Sequence, residues 1–140
     1  MIALSGIRAE DLSGVWNDII PYIQRALEHG QGEFSLDAIL DGILTREMQL
    51  WVGHEDEKIV YVGVTQLEKF SEKLICVIVL LSGDRVMEWL DNTNELESWA
   101  MTQGADELRV MGRPGWKRVL DKIGYEHAYT VMVKKLGVRH

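Results

Sequence analysis

The sequence has a single cysteine, Cys76, and only two prolines among its 140 residues. One thiol cannot build a disulfide framework within the chain, and no Cys-x-x-Cys motif or Cys/His cluster offers the spacing of a zinc site. The histidines, His29, His54, His127 and His140, stand apart, and no pair has metal-ligand spacing, so no metal is expected. No apolar run approaches the roughly 18 residues of a membrane span. The longest, residues 74–81, has the length of a strand. The first eight residues lack a basic region followed by a long apolar core and do not read as a secretion signal. Lys and Arg number 15 against 22 Asp and Glu, a net charge of −7, which argues against a nucleic-acid surface built on clustered cations. The expectation is a soluble cytoplasmic protein in a reducing compartment, with neither membrane nor nucleic acid as partner.

What is present is apolar residue in quantity, 46% of the chain, enough for one domain with a core of its own. Residues 2–8 suggest a first strand, and Glu10 and Asp11 stand where the positive end of a helix dipole would favour them. Leu12, Val15, Trp16, Ile19, Ile20, Ile23, Ala26 and Leu27 then recur at helical spacing, with Pro21 inside the pattern predicting a kink or a break into two helices. Ser35 is placed to cap a further helix whose apolar face is Leu36, Ile39, Leu40, Ile43 and Leu44. Residues 48–53 and 59–67 predict a β-hairpin about a charged turn. Residues 74–81 scarcely alternate, as in a strand covered on both faces and therefore central. A helical pattern follows from Val86 to Met101 and invites a break near residues 91–93, with Asn94 and Glu97 as a local capping pair. Residues 107–111 predict a strand, residues 113–123 a helix ended by Gly124, and residues 125–136 a last strand. The order requires a mixed α/β sheet with helices on both faces, because the unit running from residue 74 to residue 111 joins parallel strands through a helical crossover.

Three stretches carry a resemblance. The opening Ile7-Arg8-Ala9-Glu10-Asp11-Leu12, the Trp99-Ala100 pair followed by the Gly104-Ala105 turn, and Leu120-Asp121-Lys122-Ile123-Gly124-Tyr125-Glu126 are similar to landmarks of the GNAT superfamily, the acyl-CoA N-acyltransferase fold. Arg113-Pro114-Gly115-Trp116 is also similar to a helix start in small GNAT-like proteins of tailed phages and prophages. The resemblance implies a single GNAT-like domain over residues 1–140 and transfer of an acyl group from acetyl-CoA or another acyl-CoA to an amine. It implies a donor held by Val79, Leu80 and Leu81 along the central strand, with the phosphates at Ser82, Gly83, Asp84 and Arg85. That loop has one glycine where the family pattern has two small residues, and Asp84 brings negative charge to the phosphate position. Leu120 stands where many members carry a tyrosine acid, and Arg113 where an asparagine is common.

The catalytic group is therefore left open among Glu68, His127 and Tyr129. Glu33 and Glu68 follow from where the family seats its acceptor. His127 and Tyr129 are groups able to move a proton, although an isolated titratable residue is more often structural. Trp116, at a helix start after Gly115, could cover a cleft or a partner, whereas Trp16, Trp51, Trp89 and Trp99 read as core. Cys76, inside the central strand, reads as packed rather than nucleophilic. Two functions stand side by side: an N-acyltransferase, and a catalytically degenerate GNAT-fold protein that serves as a phage or prophage accessory, assembly or virion-associated component. The partner is correspondingly an amine substrate or a protein, the location the host cytoplasm or a virion, and a homo-oligomer is compatible with either.

Overall fold

The computed structural model describes residues 2–29, 33–110 and 115–137. One five-stranded sheet, in the order β1-β2-β3-β4-β5, organises them. Its strands are β1 (Ala3–Ile7), β2 (Met48–Glu55), β3 (Lys58–Lys69), β4 (Leu74–Gly83) and β5 (Glu107–Val110). The first four pair antiparallel, and β4 pairs parallel to β5 through a helical crossover, so the sheet is mixed as its sequence order demands. No helix among the described residues is long and apolar enough to cross a membrane.

Two helices cover one face. In α1 (Leu12–Glu28) the apolar stripe places Ile19 and Ile23 out of solvent, and α2 (Leu36–Leu44) does the same with Ile39 and Ile43. Both pack on Leu50, Val52, Val62, Val64 and Leu80 of the sheet. Ser35 caps α2 as expected, its Oγ accepting the Ala38 N–H at 3.1 Å. The break expected at Pro21 does not occur, and α1 is one helix. Pro21 and Asn17, whose carbonyl loses its partner, both lie on the exposed side, where water can take the bond. The buried stripe on either side outweighs a local cost of about 3 kcal/mol.

The opposite face is built from aromatic residues. A 3-10 helix, Val86–Asn92, leads into α3 (Thr93–Thr102), and α4 (Gly115–Leu120) follows β5. Together they bring Trp89, Leu96 and Leu120 onto Tyr61 and Ile78. Trp51 meets Trp99 edge-on at 5.1 Å, and Trp89 meets Trp116 at 6.2 Å. The break before α3 is where the sequence invites it, but no Asn94 cap produces it. Asn92 turns inward instead, accepting the Tyr61 hydroxyl at 2.8 Å and donating to the Ile2 carbonyl at 3.1 Å. Gly53 makes room for this, since a Cβ there would lie 2.1 Å from the Tyr61 ring.

The last expected strand is not formed. Residues 125–136 have no ladder partner among the described residues and, after Tyr125, are exposed. Alternation alone does not make a strand: the backbone needs a neighbour. Among the described residues, side chains tie this segment to the fold: Tyr125 to Glu97 of α3 at 3.1 Å and Tyr129 to Arg109 of β5 at 3.0 Å.

Candidate functional site

A departure from a regular sheet at Gly53 and His54 lies between β2 and β3, and another lies in β4. Its register with β3 runs Val64 opposite Leu80 and then Thr65 opposite Ile78, so Val79 is an extra residue, a β-bulge. On its other side, among the described residues, β4 is paired with β5 from Ile75 to Ile78, opposite Glu107 to Val110. Among the described residues β4 thus runs on from Val79 to Gly83 with a ladder to β3 alone. A strand that loses one neighbour at a bulge presents backbone donors and acceptors sideways, the arrangement that accepts an extended ligand as an added strand. Val79, Leu80 and Leu81 are the residues placed there.

The sheet surface behind the bulge is filled. The cavity bounded by Trp51, Tyr61, Thr65, Ile78, Trp89 and Leu96 measures about 10 Å³, room for no more than a water. Its polar groups are satisfied internally: the Trp51 indole N–H donates to Thr65 Oγ1 at 3.0 Å, and that hydroxyl donates to Gln49 Oε1 at 2.9 Å. Cys76, fully buried beside Thr65, has its thiol pushed up to about 11 by burial. It is packed, as its place in the strand suggests.

The loop after β4 is tied to its own surroundings. Gly83, at a φ of 155°, passes so close to β3 that a Cβ would fall 2.4 Å from Tyr61 Cα. Ser82 is buried. Asp84 accepts from Arg25 at 3.1 Å and from the Tyr22 hydroxyl at 3.4 Å, and burial and then Asp84 raise the Tyr22 pKa. Arg85 donates to Glu88 at 2.9 Å and to Glu55 at 3.0 Å. Its hydrogen bond to Glu88, then that to Glu55, raises its already high pKa, and the same guanidinium lowers that of Glu55. Two cations are thus engaged in three ion pairs with three carboxylates. The helix that follows is 3-10, begins at Val86 without a side-chain cap, and gives way to α-helix only at Thr93. Fit to a nucleotide-linked pantetheine is therefore unequal: the strand edge suits the arm, whereas the loop's Arg85 is engaged by carboxylates and the helix it opens is 3-10 rather than α at its start.

The remaining residues singled out in the sequence are dispersed. Glu68 pairs across from Ile75, four residues before the bulge and so roughly 13 Å from it along β4. Tyr129 is held to β5 by Arg109, which lies opposite Val77 and also packs on Phe70 at 5.8 Å. His127 Nε2 lies 3.3 Å from Thr130 Oγ1 on the exposed segment. Glu33 is exposed ahead of α2. Trp116 spends its ring on Trp89, half-buried, and Leu120 is buried in the same cluster, so neither faces an open cleft. Arg113 and Pro114 lie outside the described residues. Tyr22 and Arg25, which hold the loop from α1, carry no sequence signal for that role, because 62 and 59 positions separate them from Asp84.

No protein-family model matches the sequence, and no curated protein sequence matches it. Solved structures do. An aminoglycoside acetyltransferase from an uncultured soil metagenomic sample, in complex with sisomicin, shares 16% identity at a TM-score of 0.67, covering 97% of each chain. Glucosamine-6-phosphate N-acetyltransferase from Arabidopsis thaliana shares 14% at a TM-score of 0.65, covering 98% of this chain and 99% of that one. A predicted acetyltransferase from Clostridium acetobutylicum, solved with acetyl-CoA, shares 12% at 0.67, covering 96% of each. Identities so low speak to architecture and leave activity aside. The five-stranded mixed sheet with its helices is the fold of the GNAT acetyltransferases.

Proposed function

We propose that the chain is an N-acyltransferase that takes its acyl-CoA donor chiefly by the pantetheine arm. The observation that carries this reading is the Val79 bulge at the point where the β4–β5 ladder ends. Val79, Leu80 and Leu81 would offer their backbone groups to the amides of the arm, leaving the thioester beside the bulge. An acyl-CoA supplies the activated acyl group. The acceptor amine attacks the thioester carbon, the C–N bond forms as the C–S bond breaks, the thiolate takes a proton, and the amine gives one up. Of Glu68, His127 and Tyr129, Tyr129 is the one tied to β5, through Arg109, and it takes the role of proton donor in this reading. The acceptor is a primary amine. Aminoglycosides and glucosamine-6-phosphate, named for the similar structures, share that group, and a net charge of −7 favours the cationic kind over the phosphorylated one.

Calorimetry with two donors tests the reading. Acetyl-CoA and phosphate-free S-acetylpantetheine are expected to bind within about tenfold of each other, because Arg25 and Arg85 are engaged with carboxylates. Absence of heat from both at millimolar concentration removes the proposal. That same result supports the second reading, a catalytically degenerate GNAT-fold accessory protein, which the engaged cations of the loop favour. Where turnover is measurable, Tyr129→Phe is expected to lower kcat by about a hundredfold and leave the donor KM in place.

A further inference from the structure

Anions of the chain itself stand where a donor's diphosphate would lie. Asp84 immediately follows Gly83, the last residue of β4, and Glu88 lies in the first turn of the 3-10 helix Val86–Asn92. Carboxylates at a helix start answer its positive end, the same attraction that draws a phosphate there. The cations beside them are committed. Arg25 reaches Asp84 from α1 at 3.1 Å, and Arg85 donates to Glu88 at 2.9 Å and to Glu55 at 3.0 Å.

These carboxylates are held in place. The Tyr22 hydroxyl lies 3.4 Å from Asp84 and 3.2 Å from the Ile59 carbonyl, so α1 steadies the Asp84 side chain against β3. The Arg85 N–H donates to the Val60 carbonyl at 3.3 Å, and this donor is therefore turned into the sheet. Asp84 keeps 68% of its side chain in solvent and Arg25 48%, and pairs so exposed contribute little to stability. Their consequence is electrostatic. An incoming phosphate is repelled by Asp84 and Glu88, and it gains a cation only by parting that cation from a carboxylate. The strand edge beside the loop is different in kind, because Val79, Leu80 and Leu81 bring no charge.

We propose, on the donor reading of the β4 edge given above, that Asp84 and Glu88 are specificity-determining residues: they set the loop against the donor's phosphates and favour a pantetheine thioester with a neutral tail over acyl-CoA. Calorimetry with S-acetylpantetheine and acetyl-CoA, each at 20 and 500 mM NaCl, tests it. On the unaltered chain at low salt, S-acetylpantetheine is expected to bind about threefold to tenfold tighter. Its affinity should be indifferent to salt, whereas acetyl-CoA should tighten about threefold at 500 mM as the repulsion is screened. Asp84→Asn removes one carboxylate and frees Arg25, and it is expected to tighten acetyl-CoA by about threefold to tenfold at low salt. Glu88→Gln should act in the same direction, with S-acetylpantetheine unchanged in both. Glu72→Gln makes the same change of net charge in the turn between Lys69 and Leu74, at the far end of β4, and is expected to move neither donor.

Acetyl-CoA that loosens with salt overturns the inference, and so does a donor ratio unmoved by both substitutions; S-acetylpantetheine still binds in those cases, and the donor reading stands. Equal tightening in Glu72→Gln assigns the effect to net charge and overturns it as well. No heat from either donor with any of the chains removes the donor reading and this inference together. Should a substitution cost the fold, seen as loss of S-acetylpantetheine binding, the sign of the salt effect on the unaltered chain decides.

Discussion

Replacing Gly83 by alanine tests whether this glycine answers to a ligand or to the sheet. The Cβ of an alanine would stand 2.4 Å from Tyr61 Cα and 2.5 Å from the Val60 carbonyl oxygen, backbone atoms that no rotamer change can move. The same carbonyl accepts the Arg85 N–H at 3.3 Å, so parting the strands also loosens the loop. Relieving the overlap costs about 1–3 kcal/mol as overpacking. Holding an L residue at a φ of 155° adds a cost of about the same size. A loss of about 3 kcal/mol is a fair centre. With unfolding entropy near 2.1 cal/mol/K per residue, 140 residues give about 0.29 kcal/mol/K, and the melting temperature is expected to fall by about 10 °C. Differential scanning calorimetry reads this directly, and the deficit should persist with acetyl-CoA present. A fall under about 3 °C would show that β3 and β4 part easily and that the close approach at Gly83 is not what requires glycine.

Gly14, exposed within α1 with nothing within 4 Å of its would-be Cβ, gives the opposite sign. Gly14→Ala is expected to stabilise the chain by roughly 0.5–1 kcal/mol, seen as a rise of a few degrees in the same melt. Cys76 should resist alkylation at pH 8 in the native chain and react at the ordinary rate in 6 M guanidinium, since burial pushes its thiol up to about 11. Lys73 and then Arg109 lower the pKa of Glu107 below its ordinary 4.5. A depressed carboxylate contributes stability that is present above the unfolded value and lost as pH falls through the lower folded value. The difference in melting temperature between the natural chain and Glu107→Gln should therefore be constant at neutral pH and shrink below about 4.5. A difference that persists unchanged to pH 2 would remove the ion pairs as its source.

The sequence makes the scaffold legible where a local pattern and its burial coincide. The unalternating run in β4, the Ser35 cap and the hairpin about Asp56 each follow from a few neighbouring residues. Pro21 shows where local rules yield: its cost is real, and the buried stripe of α1 outweighs it. Residues 125–136 show a pattern without a neighbouring strand among the described residues, which no reading of one strand can supply. The site was legible only in part, for a similar reason. The family pattern points to Val79 through Arg85, but the bulge is a relation between β3 and β4, and the engagement of Arg85 and Asp84 depends on Glu55 and Arg25, distant in sequence. Trp116 looked exposed at a helix start because Trp89, 27 positions earlier, is invisible to any local window.

The buried bond from Asn92 to the Ile2 carbonyl joins residues 90 positions apart, and the Tyr61 hydroxyl completes it from a third element. In time rather than space, it links the first strand made to a turn made much later. Closing so long a loop is entropically costly, and the contact gives nothing back until both ends are in place. The hairpins of β2, β3 and β4 can form from near neighbours before this. β1 pairs with β2 and packs Ile7 on the core under α1 and α2 before the chain reaches Asn92, and the closure at Asn92 belongs to the last steps of folding. In the finished protein the same link is a latch, and opening it would release the chain's beginning before disturbing the hairpins.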